Sequence, residues 1–393
     1  MFIICLLIII SMTKSFTLTP VYGERFVGRR DILREMMAEV TNPKSNVGFC
    51  LHGRRRVGKT SILRELEYEL SRKEGIVVAD LSLYDLADLS LKTFTEQLST
   101  TILEAFREKK VLPFEFSIEV LMKSPKEVIE SALSKFKIGT ELSDEVKFFL
   151  EFRKEKTENY TEIVRRAFDL GEKLAKSSGT KFILVLDEFP EILRIENGEQ
   201  LVKMFRTIHE KQRNTAIILS GSEKRTLELV ALGSASPFYK QLVPKTVSPF
   251  SFEETLEFLN KYGLKISKSE AKKIYEITGG VPFYLQYLGR SAAPVSNIDG
   301  IVKEFLAQEG GVFFGEEFER LSDKEKLIAM AMAMGARTPT EISKGSGEPV
   351  TSVSRYLLTL QDKGVVKKIE KASYALADKL FSLWLKGRYG DKR

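Results

Sequence analysis

The stretch Gly53-Arg54-Arg55-Arg56-Val57-Gly58-Lys59-Thr60, with Ser61 behind it, restricts what this chain can fold into more than any other. It fits G-x-x-x-x-G-K-[ST], in which a glycine-rich turn offers backbone N–H groups to phosphate oxygens, a lysine reaches the β- and γ-phosphates, and a hydroxyl meets Mg2+. Such a loop belongs between a strand and a helix, because the helix N-terminus then points its unpaired N–H groups and partial positive charge at the anion. Upstream, Val47-Gly48-Phe49-Cys50-Leu51 is an apolar run of strand length; downstream, Ile62, Leu63, Leu66 and Leu70 recur at helical spacing. An Arg/Gly surface turn, the alternative, does not call for that context.

A second motif follows more than 100 residues later. Phe182-Ile183-Leu184-Val185-Leu186 is an unbroken apolar run ending in Asp187-Glu188. Five apolar residues in a row need burial on both faces, the situation of a central parallel strand. Acidic residues at its carboxyl end enter the crevice where open α/β sheets bind ligands. Asp187 is expected to hold Mg2+ with Thr60, and Glu188 to polarise the water that attacks the γ-phosphate. An acidic pair merely ending a strand is the bland alternative. The chemical reading requires the lysine turn and the carboxylate pair to sit on neighbouring strands and grip one metal-bound triphosphate.

Further strands are read at Gly75 to Leu81 and Thr215 to Leu219, the latter ending in Ser220-Gly221-Ser222. Ser220 is expected to sense the γ-phosphate, with a plain strand-end turn as the alternative. Helical patterns at Ile32 to Val40, Phe94 to Phe106 and Ile163 to Ala175 alternate with these strands, which predicts a parallel α/β sheet. Between Val111 and Tyr160 the pattern loosens into two short alternating stretches, Phe114 to Val120 and Phe136 to Ile138, read as strands within an insertion; Arg153 to Lys156 reads as a solvated helix face.

From Ser251 to about Gly310 only helical patterns occur, broken at Gly279-Gly280-Val281-Pro282, where Pro282 suits the first turn of the next helix. The last segment reads as helices Ser322 to Met334, Pro339 to Lys344 and Pro349 to Lys363, then strands Val365 to Ile369 and Ser373 to Leu376. Three helices and a hairpin suggest a winged helix-turn-helix. Its third helix would present Thr351, Ser352, Ser354, Arg355 and Thr359, and its wing Lys367, Lys368 and Lys371, groups suited to phosphate and groove contacts with double-stranded DNA. Many such modules bind protein instead. The expected domains are 16–250 (sheet, with an insertion at about 111–160), 251–315 (helical lid) and 316–393 (winged helix).

Charge supports the DNA reading. The chain carries +7 overall, and from Lys344 to Arg393 eleven Lys/Arg stand against five Asp/Glu, so almost all the basic excess is C-terminal. Two cysteines, Cys5 and Cys50, exclude a disulfide framework, and two histidines, His52 and His209, with no Cys/His cluster argue against zinc. Phe2 to Ile10 is wholly apolar, but it lacks a basic leader and is shorter than the roughly 20 residues that span a bilayer. Translation beginning at Met12 is the preferred reading, a short hydrophobic anchor the alternative. No membrane partner is expected, and a site for ATP implies the cytoplasm.

Taken in order, these motifs resemble the archaeal ATPase family, a STAND-type branch of P-loop NTPases related to AAA+ proteins. Phe26-Val27-Gly28-Arg29 is similar to its N-terminal nucleotide box, Arg55 to Thr60 to its P-loop ending, and Leu186-Asp187-Glu188-Phe189-Pro190 to its acidic strand end. Ser220-Gly221-Ser222, Ser248-Pro249-Phe250 and Gly279 to Pro282 also match, over about Phe26 to Gly289. The resemblance implies an ATP-binding core that includes Arg29, a helical lid whose Gly280-Val281-Pro282 turn feels the nucleotide, and a C-terminal winged helix. One position departs. Relatives commonly carry arginine shortly after a stretch like Ser236-Pro237-Phe238-Tyr239-Lys240, where this chain has Gln241. Lys240, Arg225, a protein partner or a second copy of the chain would then supply the transition-state cation, and hydrolysis is expected to be slow or partner-triggered. The leading expectation is an ATPase switch turning ATP into ADP and phosphate. The runner-up is a DNA-binding regulator that binds ATP with little turnover. A small-molecule kinase is disfavoured, because Glu188 suits water activation.

Overall fold

A computed structural model describes residues 16–111, 160–222, 227–264, 266–291 and 298–390. The expected short strands at Phe114 to Val120 and Phe136 to Ile138, the charged stretch Arg153 to Lys156, the apolar Phe2 to Ile10 and Arg225 all lie outside the described residues. The chain divides into two compact units. One comprises Tyr22–Gly53 with Lys59–Val247; the other comprises Arg54–Gly58 with Ser248–Arg393 and the residues up to Val21.

The first unit is built on five parallel strands, β1 (Gly48–His52), β2 (Ile76–Ser82), β3 (Lys181–Asp187), β4 (Thr215–Gly221) and β5 (Leu242–Thr246), in the order β2-β3-β4-β1-β5. Every residue of β3 and β4 is buried, as their continuous apolar runs require of strands covered on both faces. Helices α1 (Arg30–Val40), α2 (Lys59–Ser71), α3 (Leu91–Glu108), α4 (Tyr160–Ser178) and α5 (Gly198–His209) supply the cover. Phe94 and Phe106 of α3, Phe168 of α4 and Phe205 of α5 are buried in the core with Phe182 of β3, and Phe168 stacks on Phe205 with ring centroids 4.4 Å apart.

One expectation needs correction here, and one strand was missed. The lysine turn and the carboxylate pair do not lie on neighbouring strands: β4 separates β1 from β3, pairing Leu51 with Ser220 on one side and Leu186 with Leu219 on the other. Apolar runs report burial on both faces but carry no lateral order, and the fully buried β4 takes the central place. The strand β5 was not anticipated either. Its sequence Leu-Val-Pro-Lys-Thr contains no apolar run, and its Pro244 is compatible with an edge strand that pairs with β1 alone.

In the second unit, α6 (Phe252–Lys261), α7 (Lys268–Thr278), α8 (Pro282–Ser291), α9 (Ile298–Gln308) and α10 (Gly310–Glu319) form a helical body. Ser251 and Ser267 open α6 and α7 with capping boxes to Glu254 and Glu270, each cap contributing about 1 kcal/mol. The arm before the first unit inserts Phe16 into this body: it stacks on Tyr262 with centroids 4.8 Å apart and fills the space a side chain on Gly289 would take. The winged helix follows as α11 (Asp323–Ala333), α12 (Pro339–Ser346), α13 (Val350–Asp362), the antiparallel pair β6 (Val366–Glu370) and β7 (Ser373–Leu376), and a closing helix α14 (Lys379–Tyr389). Among the described residues no helix is long and apolar enough to cross a membrane.

Candidate active site

The carboxyl ends of β1, β4 and β3 bring the expected residues together. After β1 the chain turns through Gly53 and enters α2 at Lys59, which is buried and donates from Nζ to the Gly53 carbonyl at 3.0 Å. Gly58 has φ +93°, a left-handed geometry that costs any other residue strain, and Arg56 holds φ +68° beside it. Val57 is buried, which fixes the loop between its two glycines. Ser61 lies in the first turn of α2. The Thr60 hydroxyl donates to Asp187 Oδ2 at 2.9 Å, so the loop and the end of β3 meet directly although β4 runs between their strands.

Asp187 also accepts, through Oδ1, from the Glu188 backbone N–H at 2.9 Å. Glu188 itself sits at φ +49°, a left-handed residue that ends β3 and throws its side chain out of the strand alternation. Its carboxylate accepts from both the backbone N–H and the hydroxyl of Ser222, each at 3.2 Å. Burial pushes the Glu188 carboxyl above its ordinary value, the Asp187 charge adds to that, and the Lys59 ammonium pulls the other way. Gly221 leaves the room for this arrangement, since a side chain there would run into the Pro190 ring.

Ser220, the expected γ-phosphate sensor, is fully buried on β4 with its Oγ lacking a hydrogen-bond partner. An unpaired buried hydroxyl near the carboxyl end of the strand between β1 and β3 is the kind of group an incoming oxygen would satisfy. Ser222 was missed, although it lies in the same Ser-Gly-Ser stretch. A second missed pair lies one turn along α2: Arg64 makes a 2.9 Å ion pair with Asp80 on β2. Burial raises the Asp80 carboxyl to about 7, against the pull of Arg64. Thr60 and Arg64, four apart on α2, thus clasp the acidic residues of two adjacent strands.

The remaining expected residues fall in other places. Arg29 is buried at φ +58° at the start of α1. Pro282 opens α8, its ring 3.8 Å from where a β-carbon on Gly58 would stand. Arg54 reaches Asp378 at 3.4 Å, Arg56 donates to the Phe313 carbonyl at 2.9 Å, and Arg55 is exposed. Gln241 faces Arg206 of α5; with the amide oxygen turned to the guanidinium it accepts at 3.1 and 3.2 Å. Lys240, at φ +62°, is exposed with its ammonium 5.4 Å from the Tyr239 ring centroid. On α13, Thr351, Ser354 and Arg355 are exposed, while Ser352 and Thr359 are half-buried; on the wing, Lys367, Lys368 and Lys371 are exposed.

Residues 26–288 match the model of an ATPase domain found predominantly in Archaea. The chain belongs to the archaeal ATPase family. Its nucleotide-binding ATPase domain is followed by a helix-turn-helix, for residues 327–370 match the IclR helix-turn-helix domain. Among solved structures, this archaeal ATPase is similar to the Walker-type ATPase of Pyrococcus abyssi, at 24% identity and a TM-score of 0.68 over 94% of this chain and 99% of that one. It is also similar to the ORC2 protein of Aeropyrum pernix in ADPNP-ADP complexes, at 13% identity and a TM-score of 0.60 over 97% and 100%. At these identities the likeness is one of fold. A search of curated proteins found no match.

Proposed function

We propose that this archaeal ATPase binds Mg2+ with ATP, cleaves the γ-phosphate, and uses the difference between the ATP and ADP states to control its winged helix. The observation that carries the reading is the 2.9 Å contact between Thr60 and Asp187, which places a hydroxyl and a carboxylate, the donor pair that suits Mg2+ in such loops, at the end of the lysine turn. Bound Mg2+ would neutralise charge on the phosphate oxygens. The backbone N–H groups of Gly53 to Ser61 bind the phosphates, and Lys59 leaves the Gly53 carbonyl for the β- and γ-oxygens. Glu188 orients the attacking water and takes its proton, the Ser222 N–H and hydroxyl aim that carboxylate, and the Ser220 hydroxyl gains a phosphate oxygen as partner. The raised affinity of Glu188 for a proton suits it to this work. Domains at 16–250, 251–315 and 316–393 divide the labour as sheet, lid and winged helix.

Phosphate release by wild type, Lys59→Ala and Glu188→Gln tests the hydrolytic part. Release by wild type and its loss in both variants is expected; equal, substantial release from all three would end the idea.

A second reading, a DNA-binding regulator with little turnover, is favoured by one contact: Gln241 stands where relatives carry arginine and faces Arg206 instead. The exposed Thr351, Arg355, Lys367, Lys368 and Lys371, with Ser352 beside them, would then meet the phosphates and groove of a duplex. Fluorescence anisotropy with duplex DNA across a salt series separates the two, since phosphate-dominated binding weakens steeply as salt rises.

A further inference from the structure

The tip of the phosphate loop, Arg54–Gly58, packs within the C-terminal unit, whereas the residues on either side of it, Gly53 and Lys59, belong to the sheet unit. Two of its side chains are engaged there in detail. Arg56 donates to the Tyr284 hydroxyl at 3.3 Å and to the Phe313 carbonyl at 2.9 Å, with its guanidinium 5.1 to 5.7 Å from the ring centroids of Phe283, Phe313 and Phe314. The Tyr284 hydroxyl in turn donates to Asp378 Oδ2 at 2.5 Å, and the same oxygen pairs with Arg54 at 3.4 Å. Arg54, Asp378, Tyr284 and Arg56 therefore form a continuous chain of polar contacts that begins and ends in the phosphate loop.

Asp378 has a second set of partners. Its Oδ1 accepts from the backbone N–H groups of Leu380 and Phe381 at 2.9 and 3.1 Å, which caps α14, and it follows directly on β7 of the wing. The stem of Arg54 lies against Gly364, where a β-carbon would stand 3.3 Å from its Cγ, and Gly364 is in the turn between α13 and β6. One arginine of the loop thus touches both roots of the wing. Its partner carboxylate is only 13% exposed, so the pair is poorly screened by water.

We propose that Asp378 is a positioning residue that reads the state of the phosphate loop: when the loop backbone closes on a triphosphate, Arg54 and Arg56 shift, and the Asp378–Tyr284 contact passes the shift to α14 and the wing. This rests on the nucleotide reading given above. The physical reason is geometric. In the nucleotide reading the backbone N–H groups of the loop meet the phosphates, while the Arg54 and Arg56 side chains contact Asp378, Tyr284 and Phe313, so a loop rearrangement on phosphate binding moves charges already paired with the C-terminal unit. A half-buried charged pair held by several hydrogen bonds has few equivalent arrangements, and a shift at one end must be met at the other.

The chain offers its own reporter, because its single tryptophan, Trp384, lies on α14 among Phe314, Phe318 and Phe381. The experiment titrates full-length wild type, Asp378→Ser and Tyr284→Phe with Mg2+ and a non-hydrolysable ATP analogue, reading affinity by calorimetry and Trp384 emission in parallel. Serine keeps the cap on α14 but cannot reach both Arg54 and Tyr284; phenylalanine removes one hydroxyl and serves if the first variant folds poorly. Wild type is expected to bind and to change its emission with the same midpoint. Both variants should bind within about threefold of wild type yet lose most of the emission change, since the coupling free energy and not the site has been removed. Full emission change in Tyr284→Phe, or binding by wild type with no change, overturns the relay alone. Absence of binding by wild type strikes the nucleotide reading itself and the relay with it.

Discussion

Thr60 and Asp187 are 127 positions apart in the chain, yet the hydroxyl of the first donates to the carboxylate of the second at 2.9 Å. The contact is made although β4 runs between β1 and β3: Thr60 lies in the first turn of α2 and Asp187 is the last residue of β3. The hydrolytic reading of the sheet unit depends on that contact.

Lys59→Ala should weaken ATP binding by about tenfold or more, roughly 1.4 kcal/mol or greater, because a buried ammonium aimed into the loop is lost with its charge. Calorimetric titration with Mg2+ and ATP measures it. Gly58→Ala should act similarly through backbone strain of about 1–3 kcal/mol at φ +93°.

Ser222→Ala removes one of two bonds that aim Glu188 while leaving the backbone N–H in place. The turnover number should fall by about tenfold with KM little changed, the mark of an interaction used in the reaction rather than in binding. Steady-state phosphate release gives both parameters.

The rate itself should rise with pH through the Glu188 titration. Burial raises that carboxyl, so it gives up its proton, and becomes a base, only at a pH above the usual glutamate range. A pH–rate profile of kcat/KM is expected to show an acid limb displaced upward; a limb at the ordinary glutamate position would contradict the role.

Asp80 makes a prediction about stability. Its folded value of about 7 lies above the unfolded value of 3.8, so the folded state holds the proton more tightly and loses stability as pH climbs from about 4 to about 7. Asp80→Asn should remove that loss, which is a few kcal/mol at most given the Arg64 partner. Thermal unfolding from pH 5 to pH 8 should show wild type falling relative to the variant.

On the winged helix, Arg355→Ala should weaken duplex binding in a sequence-dependent way, whereas Lys367→Ala and Lys368→Ala should weaken it uniformly and each reduce the salt slope by about one. Anisotropy at several salt concentrations distinguishes the two behaviours.

Much of this was legible in the residues, for definite reasons. The loop announces itself through the spacing of its glycines and lysine, and the acidic strand end through the continuous apolar run that burial on both faces forces on β3. Where the signal is weaker, so was the reading. Edge strand β5 is half solvated and carries Pro244, and α10 begins at Gly310-Gly311 and contains Gly315. Choosing Ser220 and overlooking Ser222 has one cause: alternation along β4 says which residues share a face, but the left-handed Glu188 decides which of them its carboxylate meets. The lateral order of strands has no sequence signature at all, which is why β4 could be misplaced while Thr60 and Asp187 still met.

Gly53 and Lys59 are grouped with the sheet unit, and the five residues between them, Arg54–Gly58, with the C-terminal unit. If the proposed relay couples the loop to the wing, the coupling runs both ways. If ATP alters the hold of the winged helix on a duplex by some factor, the duplex must alter the hold of the loop on ATP by that same factor. Occupancy of the two ligands would then be set jointly, and an ATP affinity measured without DNA would describe only one face of a reciprocal equilibrium.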